Sequence, residues 1–355
     1  MPSRAESMTR IFPGTSSPLI CNAPMAGATN AALAVAVTQA GGLGFISGGA
    51  NFTKDSEDVK QFRAQLDLIR EQFLAKTPLP VGIGALTMKA DSWTDDFISL
   101  VAEYQPAAVW LFGNERRDQH QRLISGLKAV GRGWDLQVIA QVGNVSIARE
   151  AVHDGIDILA VQGTDAGGHQ FRQGAGLMTV LPEVCDMLAA EFPGRRVPVL
   201  AAGGIMDGRG AAAALALGAD GVVMGTRFLG TKECPWSDEI KARLLAADNG
   251  ASATAKSPLH DVVTGMKSFW PGQYDGRALT TDSFEQALAG ADEEEVIARY
   301  KETLSGTDGH LHKVIWAGAG VGQMTSVVST ETLVTDTRAQ CNDCLQRLDR
   351  SMRAN

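Results

Sequence analysis

The fold class predicted for this chain of 355 residues is α/β: a parallel (β/α)8 barrel of the TIM type with a small, mostly helical insertion after its eighth strand. Three observations predict it. Between Leu19 and Met224, eight short apolar runs alternate with segments of helical periodicity or long connections. Two consecutive late strands end in glycine, at Gly203-Gly204 and at Gly225, where such barrels hold phosphate. After Phe228 the alternation is lost over a stretch too long and too structured for a linker, which reads as an insertion.

The elements follow in order. An apolar run over 19–23 is the first strand, and 30–39 is an alanine-rich helix capped by Asn30 and stopped by Gly41-Gly42. Strands are expected over 43–47, 81–83, 107–112 and 136–142, with helices over about 56–76, 92–104 and 116–130 between them. A helix over 146–153, capped by Ser146, leads to the sixth strand at 156–161. Residues 162–169 form the loop after it, and strands at 197–202 and 221–224 complete the eight. Residues 1–230 and 308–355 are assigned to the barrel, and 231–307 to an inserted lid or substrate-binding subdomain over its mouth. Within the insertion a helix is expected over 237–247. The acidic run Asp292-Glu293-Glu294-Glu295 reads as the first turn of a helix through Tyr300, where carboxylates complement the backbone dipole, rather than as a metal site. The last amphipathic stretch, 330–350, closes the barrel as its eighth helix.

Composition narrows the function classes. Hydrophobic residues at 45% and charged residues at 20% are ordinary for a globular protein, while 39 glycines are many. A net charge of −8 disfavours nucleic acid or an anionic membrane as a general partner. Residues 1–10 lack the apolar core of a secretory signal and no later segment has the length of a membrane span, so a cytoplasmic location is expected. Five scattered cysteines do not form a disulfide framework, and Cys341-x-x-Cys344 reads as a helical pair, with no metal site expected.

The stretch Gln162-Gly163-Thr164-Asp165-Ala166-Gly167-Gly168-His169 carries the chemistry. It puts an imidazole, the side chain suited to proton exchange near neutral pH, in a loop after a barrel strand. His169 is therefore the candidate catalytic residue, with Asp165 either orienting it or shaping the turn. His120, His153, His260, His310 and His312 lack such a setting and read as structural or solvated. The first strand runs into Asn22-Ala23-Pro24-Met25-Ala26-Gly27, a stiff loop able to present backbone amides to a planar ring. Gln141 and Gln162, at the ends of the fifth and sixth strands, bring uncharged amides to the barrel mouth. Gly203, Gly204 and Gly225 allow close approach of a phosphate, whether of flavin mononucleotide, a sugar phosphate or a nucleotide.

Together, residues 22–27, the Q-G-x-[DE]-A-G-G-H stretch, 201–205, 218–228 and 316–322 resemble the nitronate monooxygenase family, formerly called 2-nitropropane dioxygenases. The resemblance implies a noncovalent FMN in the barrel mouth. Pro24 and Met25 would lie against its ring, with Gln141 and Gln162 at its polar edge and Gly203, Gly204, Gly225 and Thr226 at its phosphate. Asn22, Gly167 and Gly168 complete the expected cofactor surroundings. It also implies that His169 takes the acidic proton of a neutral nitroalkane or steadies a bound nitronate, which dioxygen and the flavin convert to a carbonyl compound and nitrite. Two positions depart from many relatives: Asp165 stands in place of glutamate, and Ala319 in place of glutamine. An NAD(P)H-dependent flavin reductase, acting on quinones or enoyl thioesters, is the alternative on the same fold. A phosphate-ligand-binding barrel without redox chemistry is the third. The expected partners are a small nitronate or nitroalkane and dioxygen, with neither nucleic acid nor membrane among them, and a homodimer is left open.

Overall fold

The computed structural model describes residues 4–74 and 77–353, so the far end of the expected 56–76 helix and the first three residues of the polar N-terminal segment lie outside the described residues. The strands are β1 (Leu19–Asn22), β2 (Gly44–Ser47), β3 (Leu79–Leu86), β4 (Pro106–Phe112), β5 (Gln137–Val142), β6 (Ile158–Gln162), β7 (Gly168–Phe171), β8 (Val199–Ala202), β9 (Gly221–Met224), β10 (Thr254–Ser257) and β11 (Tyr274–Leu279). Eight of them form one parallel sheet in the order β1-β9-β8-β6-β5-β4-β3-β2. A parallel bridge between Cys21 and Leu43 brings β1 back beside β2, so the sheet curls into a barrel.

The period-two alternation of strands sorts the core into two layers. Leu19, Cys21, Phe45, Trp110, Ile139, Ile158, Ala160, Leu200 and Val223 fill the barrel, closed below by Met8 and Phe12 at the end of α1 (Arg4–Ile11) and just beyond it. Ile20, Ile46, Val109, Val138, Leu159, Val161 and Val222 face outward, onto the helices. Those helices are α2 (Ala31–Gln39), α3 (Glu57–Gln72), α4 (Thr94–Tyr104), α5 (Arg117–Gly131), α6 (Val145–His153), α7 (Leu177–Glu191) and α8 (Gly208–Ala216). A four-residue helix α9 (Thr226–Leu229) follows β9. Residues 231–307 hold α10 (Asp238–Ala246), α11 (Gly250–Ala253), α12 (Leu259–Val263), α13 (Asp282–Leu288) and α14 (Glu293–Ser305). The C-terminal α15 (Thr330–Arg353) packs against both α8 and α2 and completes the outer ring.

Several local expectations are corrected. The cap of α6 is Asn144, whose side chain accepts the Ile147 N–H, and Ser146 already lies inside the helix. Helices α7 and α8 and the N-terminal α1 come in addition to the expected elements. The stretch expected as a loop through His169 ends in strand β7, antiparallel to β11, which itself pairs with β10. The insertion thus adds a small sheet to its helices. Asp292 caps α14 by accepting the Glu294 and Glu295 N–H groups, and the following carboxylates lie in its first turn. Among the described residues, no helix is long and apolar enough to cross a membrane.

Candidate active site

A cavity of about 510 Å³ lies at the C-terminal ends of the barrel strands, within the size range of cofactor and small-molecule sites. Pro24, Met25, Gln141, Gln162, Gly167, Gly168, His169, Gly203, Gly204, Gly225 and Thr226 all line it. Strand parity puts the two glutamines there: Gln141 shares the inward phase of Ile139, and Gln162 that of Ile158 and Ala160.

The glutamine amides have one chemically consistent orientation. Trp110 Nε1 can only donate, and it donates to Gln141 Oε1 at 3.0 Å. Gln141 Nε2 then donates to Gln162 Oε1 at 2.8 Å, and Gln162 Nε2 to the His169 carbonyl at 3.2 Å. Each amide keeps a second N–H for a molecule in the cavity.

At the other side, Gly203 and Gly204 follow β8 with φ of +106° and +74°, a region that favours glycine. Gly225 ends β9 and caps α9, whose first residue is Thr226. The Thr226 hydroxyl accepts the Gly318 N–H at 2.9 Å, and among the described residues its own proton has no acceptor.

His169 is held from three directions. Its ring stacks on Trp270 at a centroid distance of 3.7 Å and an interplanar angle of 13°, with Trp316 tilted against it at 4.3 Å. Its Nε2 lies 2.9 Å from Asp261 Oδ1. Opposite His169 in the β7–β11 ladder stands Gly276, where a Cβ would come within 2.3 Å of the Trp316 ring. Gly167 and Gly318 pack backbone to backbone, and Asp165 O accepts the Ala319 N–H at 2.9 Å, so the stretch 316–322 lies directly on the 165–168 turn.

Asp261 is set by its own helix. Its neighbour His260, fully buried, stacks on Phe284 at 4.4 Å and places Nε2 2.9 Å from Ala255 O. Burial pushes the His260 pKa below the ordinary histidine range.

The nitronate monooxygenase family model matches residues 7–339. The chain belongs to the nitronate monooxygenase family. A relative described as "Nitronate monooxygenase", from Neurospora crassa, is 36% identical over 95% of this chain and 92% of its own. "Nitronate monooxygenase npaC" from Metarhizium robertsii is 35% identical over 96% of this chain and 95% of its own. Among solved structures, a nitroalkane oxidase from Streptomyces ansochromogenes covers 96% of this chain and 99% of its own with a TM-score of 0.72 at 23% identity, a likeness of fold. Membership makes this chain an enzyme, a flavin-dependent oxidoreductase on a TIM barrel.

Within this nitronate monooxygenase barrel, some expectations for individual residues are redrawn. Asn22 does not line the cavity. It is out of phase with Cys21 and Ala23, fully buried, and spans the β1–β2 seam: its Oδ1 accepts the Phe45 N–H and its Nδ2 donates to the Phe45 carbonyl, both at 2.8 Å. Asp165 shapes the turn, its backbone holding Ala319 and its Cβ lying against Gly204, while the carboxylate on His169 is Asp261. Asp261 and Trp270 lie in the insertion and carry no local motif. Their one signal in the sequence is chemical, an acid and an indole in a segment expected to cover the barrel mouth. Cys341 and Cys344 lie in α15, with Cys341 buried. The side chain of His310 falls outside the described residues.

Proposed function

We propose that the cavity binds FMN and that the protein oxidises alkyl nitronates, and neutral nitroalkanes by way of their nitronates, with dioxygen to carbonyl compounds and nitrite. One observation carries this reading: His169 stands in the wall of the same cavity as the glycines and Thr226 that end β8 and β9. The residues fit a phosphorylated heterocycle. Thr226 has a hydroxyl proton to donate, Gly203, Gly204 and Gly225 leave the backbone beside it open to close approach, and two oriented glutamine amides line the same cavity.

Bound FMN would supply the electron transfer between substrate and dioxygen. The chain's own residues do the rest. His169 takes the proton from the carbon beside a nitro group, within hydrogen-bond reach of a substrate lying in the cavity. Met266, Phe269 and Trp270 from the insertion, with Leu86 and Phe112 from the barrel, give the cavity apolar walls that exclude water from that proton transfer. The segment 231–307 thereby serves as the substrate-binding part of the protein.

An anaerobic titration of the purified protein tests the proposal. Bleaching of the visible flavin band by an alkyl nitronate, with no nicotinamide present, is the expected outcome. Rapid bleaching by NADH or NADPH with none by nitronate overturns the substrate. A colourless protein that takes up no FMN overturns the cofactor.

A further inference from the structure

His169 and Asp261 stand 92 residues apart in the chain, one on β7 beside the barrel and the other on α12 of the insertion. Their side chains are 11% and 7% exposed, and Nε2 and Oδ1 are 2.9 Å apart. An ionised carboxylate accepts and does not donate. The hydrogen between them therefore belongs to Nε2, and in the neutral ring the lone pair lies on Nδ1. Among the described residues Nδ1 has no hydrogen-bond partner, and His169 is the one partner of the Asp261 carboxylate. The Trp270 indole, also from the insertion, lies flat on the imidazole and restrains its rotation.

We infer that Asp261 is a positioning residue that holds His169 in the Nε2–H tautomer, leaving Nδ1 as the proton acceptor, so that the insertion completes the base. The inference rests on the nitronate reading above. In the step concerned, Nδ1 takes the proton from the carbon bearing the nitro group. The C–H electron pair becomes the C=N bond of the nitronate, and the negative charge moves to its oxygens. His169 becomes an imidazolium facing the Asp261 carboxylate. No oxidant or reductant takes part, and a preformed nitronate bypasses the step.

The test uses the full-length, FMN-loaded protein as wild type, Asp261→Asn and Asp261→Glu. Asp261→Asn is expected to lower turnover of a neutral nitroalkane roughly 10²-fold and that of the preformed nitronate by about threefold or less, with Asp261→Glu recovering part of the loss. Histidine-selective ¹⁵N NMR supplies a readout independent of turnover, with the His169 signals assigned by their absence in His169→Gln. For the neutral ring, protonation on Nε2 in wild type and a tautomer mixture in Asp261→Asn are expected. Equal losses on both substrates, unchanged nitroalkane turnover, or a wild-type ring protonated on Nδ1 would each overturn the inference. If wild type turns over neither substrate, the nitronate reading fails and the NMR spectrum still decides the tautomer. If the variants do not fold, the wild-type spectrum decides alone.

Discussion

Gly225→Ala separates a glycine needed by a ligand from a glycine needed by the fold. Gly225 has φ of −104°, open to any residue, and a Cβ there would meet Met25 Sδ at 3.6 Å and Ala23 Cβ at 3.7 Å, ordinary contact distances. The protein itself accommodates the methyl, so the melting temperature is expected to move by about 2 °C or less. Met25 and Ala23 both line the cavity, so the methyl enters the space assigned to FMN. Displacing one charge-assisted hydrogen bond to the phosphate loses about 1.5–3 kcal/mol, or roughly 10- to 160-fold in Kd. Gly203→Ala makes the contrast: its Cβ would lie 2.7 Å from Gly163 O at a φ of +106°, so stability and FMN binding are expected to fall together. The assay is fluorescence titration of the apoprotein with FMN, paired with a thermal melt. An unchanged Kd for Gly225→Ala beside a normal melt would refute the placement of the cofactor at the end of β9.

Three further outcomes follow from the same geometry. His169→Ala is expected to keep FMN while losing roughly 10²–10⁴-fold in turnover of neutral nitroalkane, with a smaller loss on preformed nitronate; equal retention of both, read by steady-state oxygen consumption, would remove the base. Gly276→Ala forces a methyl to within 2.3 Å of the Trp316 ring, and should destabilise the fold by about 1–3 kcal/mol and shift tryptophan emission; an unaltered melt and spectrum would contradict that packing. His120, half-buried as a residue but with its ring enclosed against Thr87, has a pKa lowered by desolvation to about 4. Unfolding then takes up a proton, so the contribution of this group is fully present above about pH 6.5 and is lost as pH falls toward 4, at up to about 1.4 kcal/mol per pH unit. Urea unfolding at pH 7, 6 and 5 checks this, and His120→Gln should flatten that part of the dependence; an unchanged slope in the variant would refute it.

What was legible in the sequence was whatever depends on short-range pattern. Short continuous apolar runs located β4, β5, β6 and β8, and the position of Gln141 and Gln162 at the ends of two of them was enough to bring both amides to the barrel mouth. Strand alternation, applied to Leu19-Ile20-Cys21-Asn22, turns Asn22 toward the seam with β2, where its amide substitutes for ladder hydrogen bonds. The glycines divide on physical grounds. Gly167 is required by the backbone of 317–318 and Gly203 by Gly163, while a Cβ at Gly225 would meet its neighbours at ordinary contact distances, so one composition signal hides two causes. The short strand β7 and the partnership of His169 with Asp261 were not legible, because both depend on chain that returns only after the whole of β8 and β9 has been built. That long return has a mechanical consequence. β11 is hydrogen-bonded to the strand that carries His169, and Asp261 precedes β11 in the same inserted segment. A rigid swing of the insertion away from the barrel would therefore break the β7–β11 ladder as well as the contact to the imidazole, which ties the setting of the histidine to the docking of the segment.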